Sequence, residues 1–105
     1  MPIVAILEWP HAEGIDMQAE YRRVADELNG GRPFADVGDW GGGMIAHAAA
    51  HTDDGGGLVI DVWEDQAHMD TWMKKVMPLM AGQPEPSVRI HETINVVTAA
   101  QPAHV

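Results

Sequence analysis

Apolar positions along the chain follow two different periods, and these predict where strands and helices lie. Residues 3–9, "IVAILEW", are apolar and β-branched enough for a strand that ends at Pro10. The next segment changes to helical spacing, with Asp16 placed to cap the helix and Gly30 just beyond its end. The apolar positions of this predicted helix are Met17, Tyr21, Val24, Ala25 and Leu28.

The middle of the chain predicts a loop followed by a β-hairpin. Residues 31–43, "GRPFADVGDWGGG", are rich in glycine and show no periodicity. Residues 44–51, "MIAHAAAH", favour a strand only weakly, because alanine is a poor strand former. The turn-rich "TDDGGG" then leads into residues 58–64, "LVIDVWE", the strongest strand pattern in the chain. Together these segments predict two paired strands.

A second helix and a final strand complete the pattern. Asp65 is placed to cap the helix, and Pro78 ends or kinks it. The apolar face of this helix comprises Met69, Trp72, Met73, Val76, Met77 and Met80. Residues 88–97, "VRIHETINVV", predict the last strand, and residues 99–105 predict a flexible tail. We therefore expect a single domain over residues 1–98.

The resulting order, β-α-β-β-α-β, predicts an α+β fold of the ferredoxin-like kind. Right-handed crossovers then place both helices on one face of a four-stranded antiparallel sheet. Alternation along the third strand puts Leu58, Ile60 and Val62 on one side, and Val59, Asp61 and Trp63 on the other. Neither side looks solvated, so the face without helices needs another cover. We expect a homodimer in which two sheets form an α/β barrel; a monomer with an unusually apolar sheet is the alternative.

Charge and composition exclude several classes of function. Acidic residues outnumber basic ones 16 to 6, giving a formal charge of −10, and no segment gathers Lys or Arg into a patch. Such a field repels phosphate backbones, so we expect no nucleic-acid partner. The chain has no cysteine, which excludes disulfides, thiolate metal sites and a cysteine nucleophile. Because no apolar run approaches the roughly 20 residues of a membrane helix, and "MPIVAILEWP" lacks the basic region of a signal peptide, we expect a cytoplasmic protein with no membrane partner.

The stretch "LVIDVWEDQAHMDTWMKKVMPLM" resembles the dimeric α/β-barrel superfamily, which contains antibiotic biosynthesis monooxygenases and heme-degrading monooxygenases. The segments "EWP", "GMIAHAAAHTDDGG" and "VIDVWED" further resemble a small bacterial group whose function is unassigned. The resemblance covers most of residues 2–97 and implies the ferredoxin-like fold and a homodimer. It implies less about chemistry, because this fold hosts several reactions as well as plain binders.

Only part of the superfamily's site carries over to this chain. Trp63 matches a tryptophan that ends the third strand in heme-degrading members. The first-strand asparagine of those members falls at Leu7, and their helix histidine, the axial heme ligand, falls near Met73. His68 lies more than a turn too early to replace it. We therefore expect no cofactor; heme binding or degradation through another histidine is the less favoured alternative.

The resemblance also implies a cleft under the helices on the Trp63 side of the sheet, with Asp61 in its wall. An ionised carboxylate in such a cleft is costly unless it is paired, so we expect Asp61 to have a hydrogen-bond donor. With a hairpin loop of about five residues, His47 faces Asp61 directly, whereas a register shift of one residue separates them. A His–Asp pair beside Trp63 would orient a proton acceptor for a phenol or an enol, so His47, Asp61 and Trp63 are the candidate catalytic residues. Alternatively, the pair only satisfies two polar groups inside the sheet or at a dimer seam.

Four further residues are candidates for ligand binding. Leu7 stands at the superfamily's first-strand position, and Trp72 lies on the apolar face of the second helix. Trp40 lies in a long loop and precedes three glycines, so it would close over the cleft as a lid or pack on the dimer edge. His91 lies in the last strand, and the sequence does not decide which face of the sheet it occupies. No metal site is expected, since the two histidines of the second strand stand roughly 13 Å apart.

These features favour a cofactor-independent monooxygenase, or a related enzyme, that acts on a small aromatic or polyketide-like molecule in the cleft. The enzyme hypothesis predicts a mostly apolar pocket of roughly 300 Å³ or more. A small-molecule-binding or structural homodimer without turnover is the alternative, and it predicts that no cavity opens beside Trp63. The expected partners are a second copy of the chain and a small apolar or aromatic ligand.

Overall fold

Four strands and two helices follow the predicted order in a computed structural model that describes residues 1–99. The main elements are β1 (Ile3–Trp9), α1 (Met17–Leu28), β2 (Met44–His51), β3 (Gly57–Trp63), α2 (Gln66–Val76) and β4 (Ser87–Glu92). Two short 3-10 helices, Val37–Trp40 and Met77–Met80, precede β2 and follow α2. The predicted tail, residues 99–105, lies outside the described residues apart from Ala99.

The four strands form one antiparallel sheet in the order β2-β3-β1-β4. β1 and β3 are central, and the β2–β3 hairpin ends at one edge. Side chains from both helices line a single cavity together with Leu7 of β1 and Asp61 of β3, so both helices cover the same face of the sheet. The predicted ferredoxin-like α+β fold is confirmed. Within residues 1–99, no helix is both long and apolar enough to cross a membrane.

Both helices begin at the aspartates that the sequence predicts as caps. The Asp16 carboxylate accepts hydrogen bonds from the backbone N–H groups of Gln18 and Ala19, at 2.9 and 3.2 Å. The Asp65 carboxylate accepts the backbone N–H of His68 at 2.9 Å. Each carboxylate thus satisfies donors that the first turn of a helix leaves without an intrahelical partner.

The last strand is shorter than its apolar pattern predicts. The pattern extends over residues 88–97, but β4 ends at Glu92. At that point the backbone N–H and the hydroxyl of Thr93 both donate to the Pro2 carbonyl, at 3.1 and 3.0 Å. Beyond it, residues 94–99 form no strand. The prediction that the strand continues to residue 97 is therefore wrong, although residues 94–97 are mostly apolar.

The loop before β2 is more ordered than its glycine content predicts. The Asp39 carboxylate accepts the backbone N–H groups of Ala35 and Asp36, at 2.9 and 3.0 Å, and Asp36 caps the 3-10 helix that follows. These backbone hydrogen bonds hold the pKa of Asp39 below its usual value. The expectation of a loop without regular structure is wrong for Val37–Trp40, because Asp36 caps the start of this 3-10 helix and Gly41, in the left-handed region at φ 81°, caps its end.

The two faces of the sheet differ in how they are covered. On the helix-covered face, alternate residues of β1 are buried: Ile3, Ala5, Leu7 and Trp9. On the opposite face, the β3 residue Ile60 is 38% exposed, and its neighbour Val62 is half-buried. The two-residue period therefore places apolar side chains on both faces, as the sequence predicts.

Candidate functional site

A cavity of about 360 Å³ lies between the sheet and the two helices. Its wall is mostly apolar, and five aromatic side chains contribute to it: Trp9, Tyr21, Phe34, Trp40 and Trp72. The volume exceeds the roughly 300 Å³ expected of a small-molecule site. Flat apolar rings in such a wall favour an aromatic or polycyclic ligand.

The cavity exists because the sheet carries small side chains where the helices stand off from it. Ala49 of β2 and Gly57 and Val59 of β3 form this part of the floor. Ala49 and Val59 are direct cross-strand neighbours, so their short side chains lie side by side. Larger residues at these positions would fill the space.

A chain of hydrogen bonds joins three polar side chains in the cavity wall. His47 and Asp61 are cross-strand partners, which confirms the predicted register. His47 Nδ1 lies 2.5 Å from Asp61 Oδ1, and His47 Nε2 lies 2.7 Å from the Tyr21 hydroxyl oxygen. An ionised Asp61 can only accept, so Nδ1–H donates to it, and in a neutral imidazole Nε2 then accepts the Tyr21 O–H. The order of donation is therefore Tyr21 to His47 to Asp61.

Packing holds this chain in one geometry. The side chains of His47 and Asp61 are only 11% and 8% exposed. The Trp40 ring packs on the imidazole with ring centroids 4.3 Å apart, and Phe34 stacks on Trp40, also with ring centroids 4.3 Å apart. The planes of the Tyr21 and His47 rings are nearly parallel, 15° apart, with ring centroids separated by 5.8 Å. The imidazole is thus positioned from three sides.

Tyr21 titrates differently from an exposed tyrosine. Burial raises the pKa of the Tyr21 phenol, and the negative charge of Asp61 raises it further. The phenol therefore stays protonated through the neutral range and remains a donor to His47.

Charge within the cavity wall is acidic. Asp61 and Glu20 line the cavity, and among the described residues no Lys or Arg does. Glu20 accepts hydrogen bonds from Arg23 at 3.2 and 3.0 Å on the exposed side of α1. Because no cation faces the ligand space, an anionic ligand would lie near Asp61 without a partner. The wall favours an uncharged or cationic ligand.

Five of the seven residues predicted for the site line the cavity: His47, Asp61, Trp40, Trp72 and Leu7. Trp40 is 6% exposed and packed in the wall.

Two predicted site residues lie elsewhere, and both placements correct the sequence analysis. Trp63 is 0% exposed and does not line the cavity, so the expectation that its indole shares the wall with Asp61 is wrong. It stands opposite Ile3 and Met44 at the other end of the sheet, where large side chains fill the space beneath α2. His91 pairs with Val4 on the face without helices, so it is not a cavity residue either.

Tyr21 is a candidate site residue that the sequence analysis missed. Its position at helical spacing identifies it as a residue of the apolar face of α1, and that is where it lies. The available indication was chemical: a tyrosine on an apolar helix face carries a hydroxyl that needs a partner when buried. The partner, His47, is 26 residues away along the chain, and no spacing rule connects the two.

Within residues 1–99, no group of three or more His, Cys, Asp or Glu side chains converges as it would around a metal ion. Three of the polar side chains in the cavity wall, Tyr21, His47 and Asp61, form a hydrogen-bonded chain with its own internal partners. These three side chains can accept and donate protons.

The sequence matches no protein-family model and no curated protein. Its structure is similar to several solved structures. The NE2512 protein of unknown function from Nitrosomonas europaea has a TM-score of 0.66 at 16% identity, over 95% of this chain and 96% of that one. Rv0793 from Mycobacterium tuberculosis has a TM-score of 0.64 at 10% identity, over 93% of this chain and 100% of that one.

SnoaB, a cofactor-independent oxygenase from Streptomyces nogalater, has a TM-score of 0.55 at 12% identity, over 93% of this chain and 98% of that one. At such identities these likenesses concern the fold alone. The predicted resemblance to antibiotic biosynthesis monooxygenase-like proteins is confirmed at that level.

Proposed function

We propose that this chain is a cofactor-independent enzyme that removes a proton from a small, apolar phenol or enol and exposes the resulting anion to dioxygen. The observation that carries this proposal is the series of hydrogen bonds Tyr21–His47–Asp61 in the wall of a largely apolar cavity. The fold shared with SnoaB, a cofactor-independent oxygenase, supports it by analogy.

The base in this proposal is His47, oriented by Asp61. When the imidazole gains the substrate proton, it becomes an imidazolium whose Nδ1–H still donates to the Asp61 carboxylate. That charge pair lies in a poorly solvated wall, where it is stronger than in water. General-base catalysis of this kind contributes about 10²- to 10⁴-fold in rate.

The second step consumes dioxygen as the oxidant. The electron-rich carbon of the substrate anion forms a bond to one oxygen atom, and dioxygen is reduced to the peroxide level as that carbon gives up two electrons. The imidazolium returns its proton to the terminal oxygen. The product is a hydroperoxide, and His47 is again neutral.

A non-catalytic ligand-binding protein is the second candidate, and one observation favours it. Both ring nitrogens of His47 already have partners inside the protein. A purely structural network also satisfies every buried polar group in this way. This candidate predicts the same apolar ligand, bound without turnover.

We also propose that a second copy of the chain covers the sheet face without helices. The support is the row of apolar side chains there, where Val4, Ile6 and Val62 are half-buried and Ile60 is 38% exposed. A two-fold symmetric contact between two such faces would bury them both. Sedimentation should then give twice the mass of one chain, and an Ile60→Asp substitution should shift it toward one chain; a single-chain mass for the unmodified protein would contradict this assembly.

Dioxygen uptake tests the proposed function. The protein is mixed with a panel of bicyclic and tricyclic phenols, and uptake is compared among the unmodified protein, His47→Gln and Asp61→Asn. We expect His47→Gln to lower kcat by about 10²- to 10⁴-fold. His11→Gln is the matched control, because His11 is exposed in the loop after β1 and does not line the cavity. Equal uptake in His47→Gln and the unmodified protein contradicts the proposal, and saturable binding of the phenols without uptake favours the non-catalytic candidate.

A further inference from the structure

Both ends of the hydrogen-bonded chain line the cavity, but Tyr21 is half-buried whereas the Asp61 side chain is only 8% exposed, so Tyr21 is the end more open to a ligand. His47 Nδ1 is occupied by Asp61 and Nε2 by the Tyr21 hydroxyl. A ligand that approached the imidazole directly would have to break one of these bonds first. Tyr21 itself lines the cavity, and its oxygen donates only one hydrogen, so it keeps acceptor capacity for a further donor.

We propose that Tyr21 is the catalytic residue that touches the substrate, and that His47 acts through it as a positioning and proton-storing residue. This inference rests on the proposed function and specifies which residue of the site contacts the substrate. The substrate class follows from the same contact: a neutral molecule whose acidic O–H donates to the Tyr21 oxygen.

The proton transfer balances along this chain. The substrate O–H bond breaks and a new O–H bond forms at Tyr21, while the original Tyr21 O–H bond breaks and an Nε2–H bond forms at His47. Tyr21 ends as neutral as it began. The products are a substrate anion and an imidazolium, and the imidazolium faces the Asp61 carboxylate.

The structure favours this relay over a resting tyrosinate. The Tyr21 pKa is raised by burial and by Asp61, so the phenol holds its proton until His47 takes it. Phe34 meets the Tyr21 ring edge-on, with ring centroids 5.9 Å apart, and the imidazole holds the hydroxyl through the 2.7 Å hydrogen bond to Nε2. A relay needs such a fixed hydroxyl, because proton transfer requires hydrogen-bond distance at both steps.

The absorbance of 4-nitrophenol tests the relay, because its phenol and phenolate forms have different colours. At a pH where the free reporter is mostly protonated, binding to the unmodified protein should raise the phenolate share. Tyr21→Phe should bind the reporter and lose this increase. Thr71→Val is the matched control: it also removes one hydroxyl from a helix, but Thr71 is exposed on α2 and does not line the cavity, so binding and the phenolate share of the bound reporter should both stay unchanged.

The variants separate failure of this inference from failure of the proposed function. If Tyr21→Phe ionises the bound reporter as well as the unmodified protein does, while His47→Gln does not, the contact belongs to His47 and the inference is overturned, but the proposed base remains. If His47→Gln also ionises it fully, the proposed function falls as well. If the unmodified protein binds the reporter without ionising it, both are overturned.

A second measurement avoids any loss of folding in Tyr21→Phe. Tyr21 is the only tyrosine in the chain, so protein produced with 3-fluorotyrosine carries one fluorine label, at this site. With 4-nitrophenol bound, the fluorine resonance should shift with pH at the same midpoint as the phenolate absorbance. A fluorine resonance that does not respond while the reporter titrates would overturn the relay.

Discussion

The helix-covered face of the sheet has a closed end, which large side chains fill, and an open end, which contains the cavity. At the closed end, Trp63, Ile3, Met44 and Met69 belong to one cluster of buried side chains. At the open end, smaller floor residues leave a cavity of about 360 Å³. Asp61 lies two residues before Trp63 in β3 and on the same face, at the border between the two ends. The cluster of buried side chains continues into the cavity wall through Trp40 and Trp72. The change in side-chain volume along β3 therefore separates a filled part of this face from a part that can hold a ligand.

The two ends also differ in what holds them together. The Trp63 indole nitrogen, like that of Trp9 at the open end, is buried and has no hydrogen-bond partner in the described part of the chain, so packing alone positions both indoles. At the open end, each polar side chain of the hydrogen-bonded chain has a partner within 2.7 Å. Apolar packing depends little on the angle between the groups in contact, whereas a hydrogen bond weakens steeply when its angle is poor. A proton relay needs groups held at hydrogen-bond geometry.

The largest expected effect is at the closed end. Trp63→Ala should lower the free energy of unfolding by about 3–5 kcal/mol, because it removes a fully buried aromatic side chain and leaves a void. Urea denaturation measures the change. A loss below about 1 kcal/mol would show that the closed end does not carry the stability assigned to it.

Asp61→Asn at the border should have an intermediate effect on stability. The substitution removes the charged acceptor of the His47 Nδ1–H, and a buried donor left with a poorer partner costs about 1–3 kcal/mol. The same denaturation experiment applies. Asp53→Asn is a suitable control, since Asp53 is exposed in the hairpin turn; an equal loss in both variants would contradict a special role for the buried carboxylate.

Ala49→Leu at the open end should separate stability from binding. The cavity has room for the larger side chain, so the free energy of unfolding should change by less than about 1.5 kcal/mol, while saturable quenching of tryptophan fluorescence by 1-naphthol should disappear. Ala48→Leu is the control, because Ala48 is the next residue of β2 and faces away from the cavity. Unchanged binding in Ala49→Leu would show that 1-naphthol binds elsewhere.

The smallest expected effect appears only at alkaline pH. Because the Tyr21 pKa is raised above its ordinary value of 10.0, the folded protein holds this proton at pH values where the unfolded chain has lost it. The resulting stability is fully present below about pH 10 and is lost as the pH rises through the folded-state pKa. Tyrosinate absorbance follows Tyr21 alone, since the chain has no other tyrosine.

In that titration, Asp61→Asn should lower the midpoint only partly, because burial is the larger cause of the shift. A midpoint at or below 10.0 in the unmodified protein would contradict the buried, hydrogen-bonded phenol.

The comparison of the two ends also explains what the sequence could predict. β1 and β2 have the predicted bounds, and both caps were identified, because these features depend on residues close together in the chain. The pairing of His47 with Asp61 followed from the hairpin register. The local hydrophobic periodicity and the length of the hairpin turn therefore predict the fold and the pairing of His47 with Asp61.

What the sequence could not predict depends on volume and on contacts between distant segments. An indole at Trp63 fits a cavity wall or a filled core equally well until the opposing side chains are known. The bond from Tyr21 to His47 joins α1 to β2, and it depends on how far the helix stands off from the sheet. The face of His91 depended on where β4 begins to pair with β1.

The most direct test of the central claim is a crystal structure of the protein with 1-naphthol bound. We predict the naphthalene rings in the open end and the naphthol oxygen about 2.5–3.0 Å from the Tyr21 hydroxyl oxygen, with the hydrogen bond from Tyr21 to His47 intact. A naphthol whose hydroxyl points away from Tyr21, or one that binds outside this cavity, would contradict it.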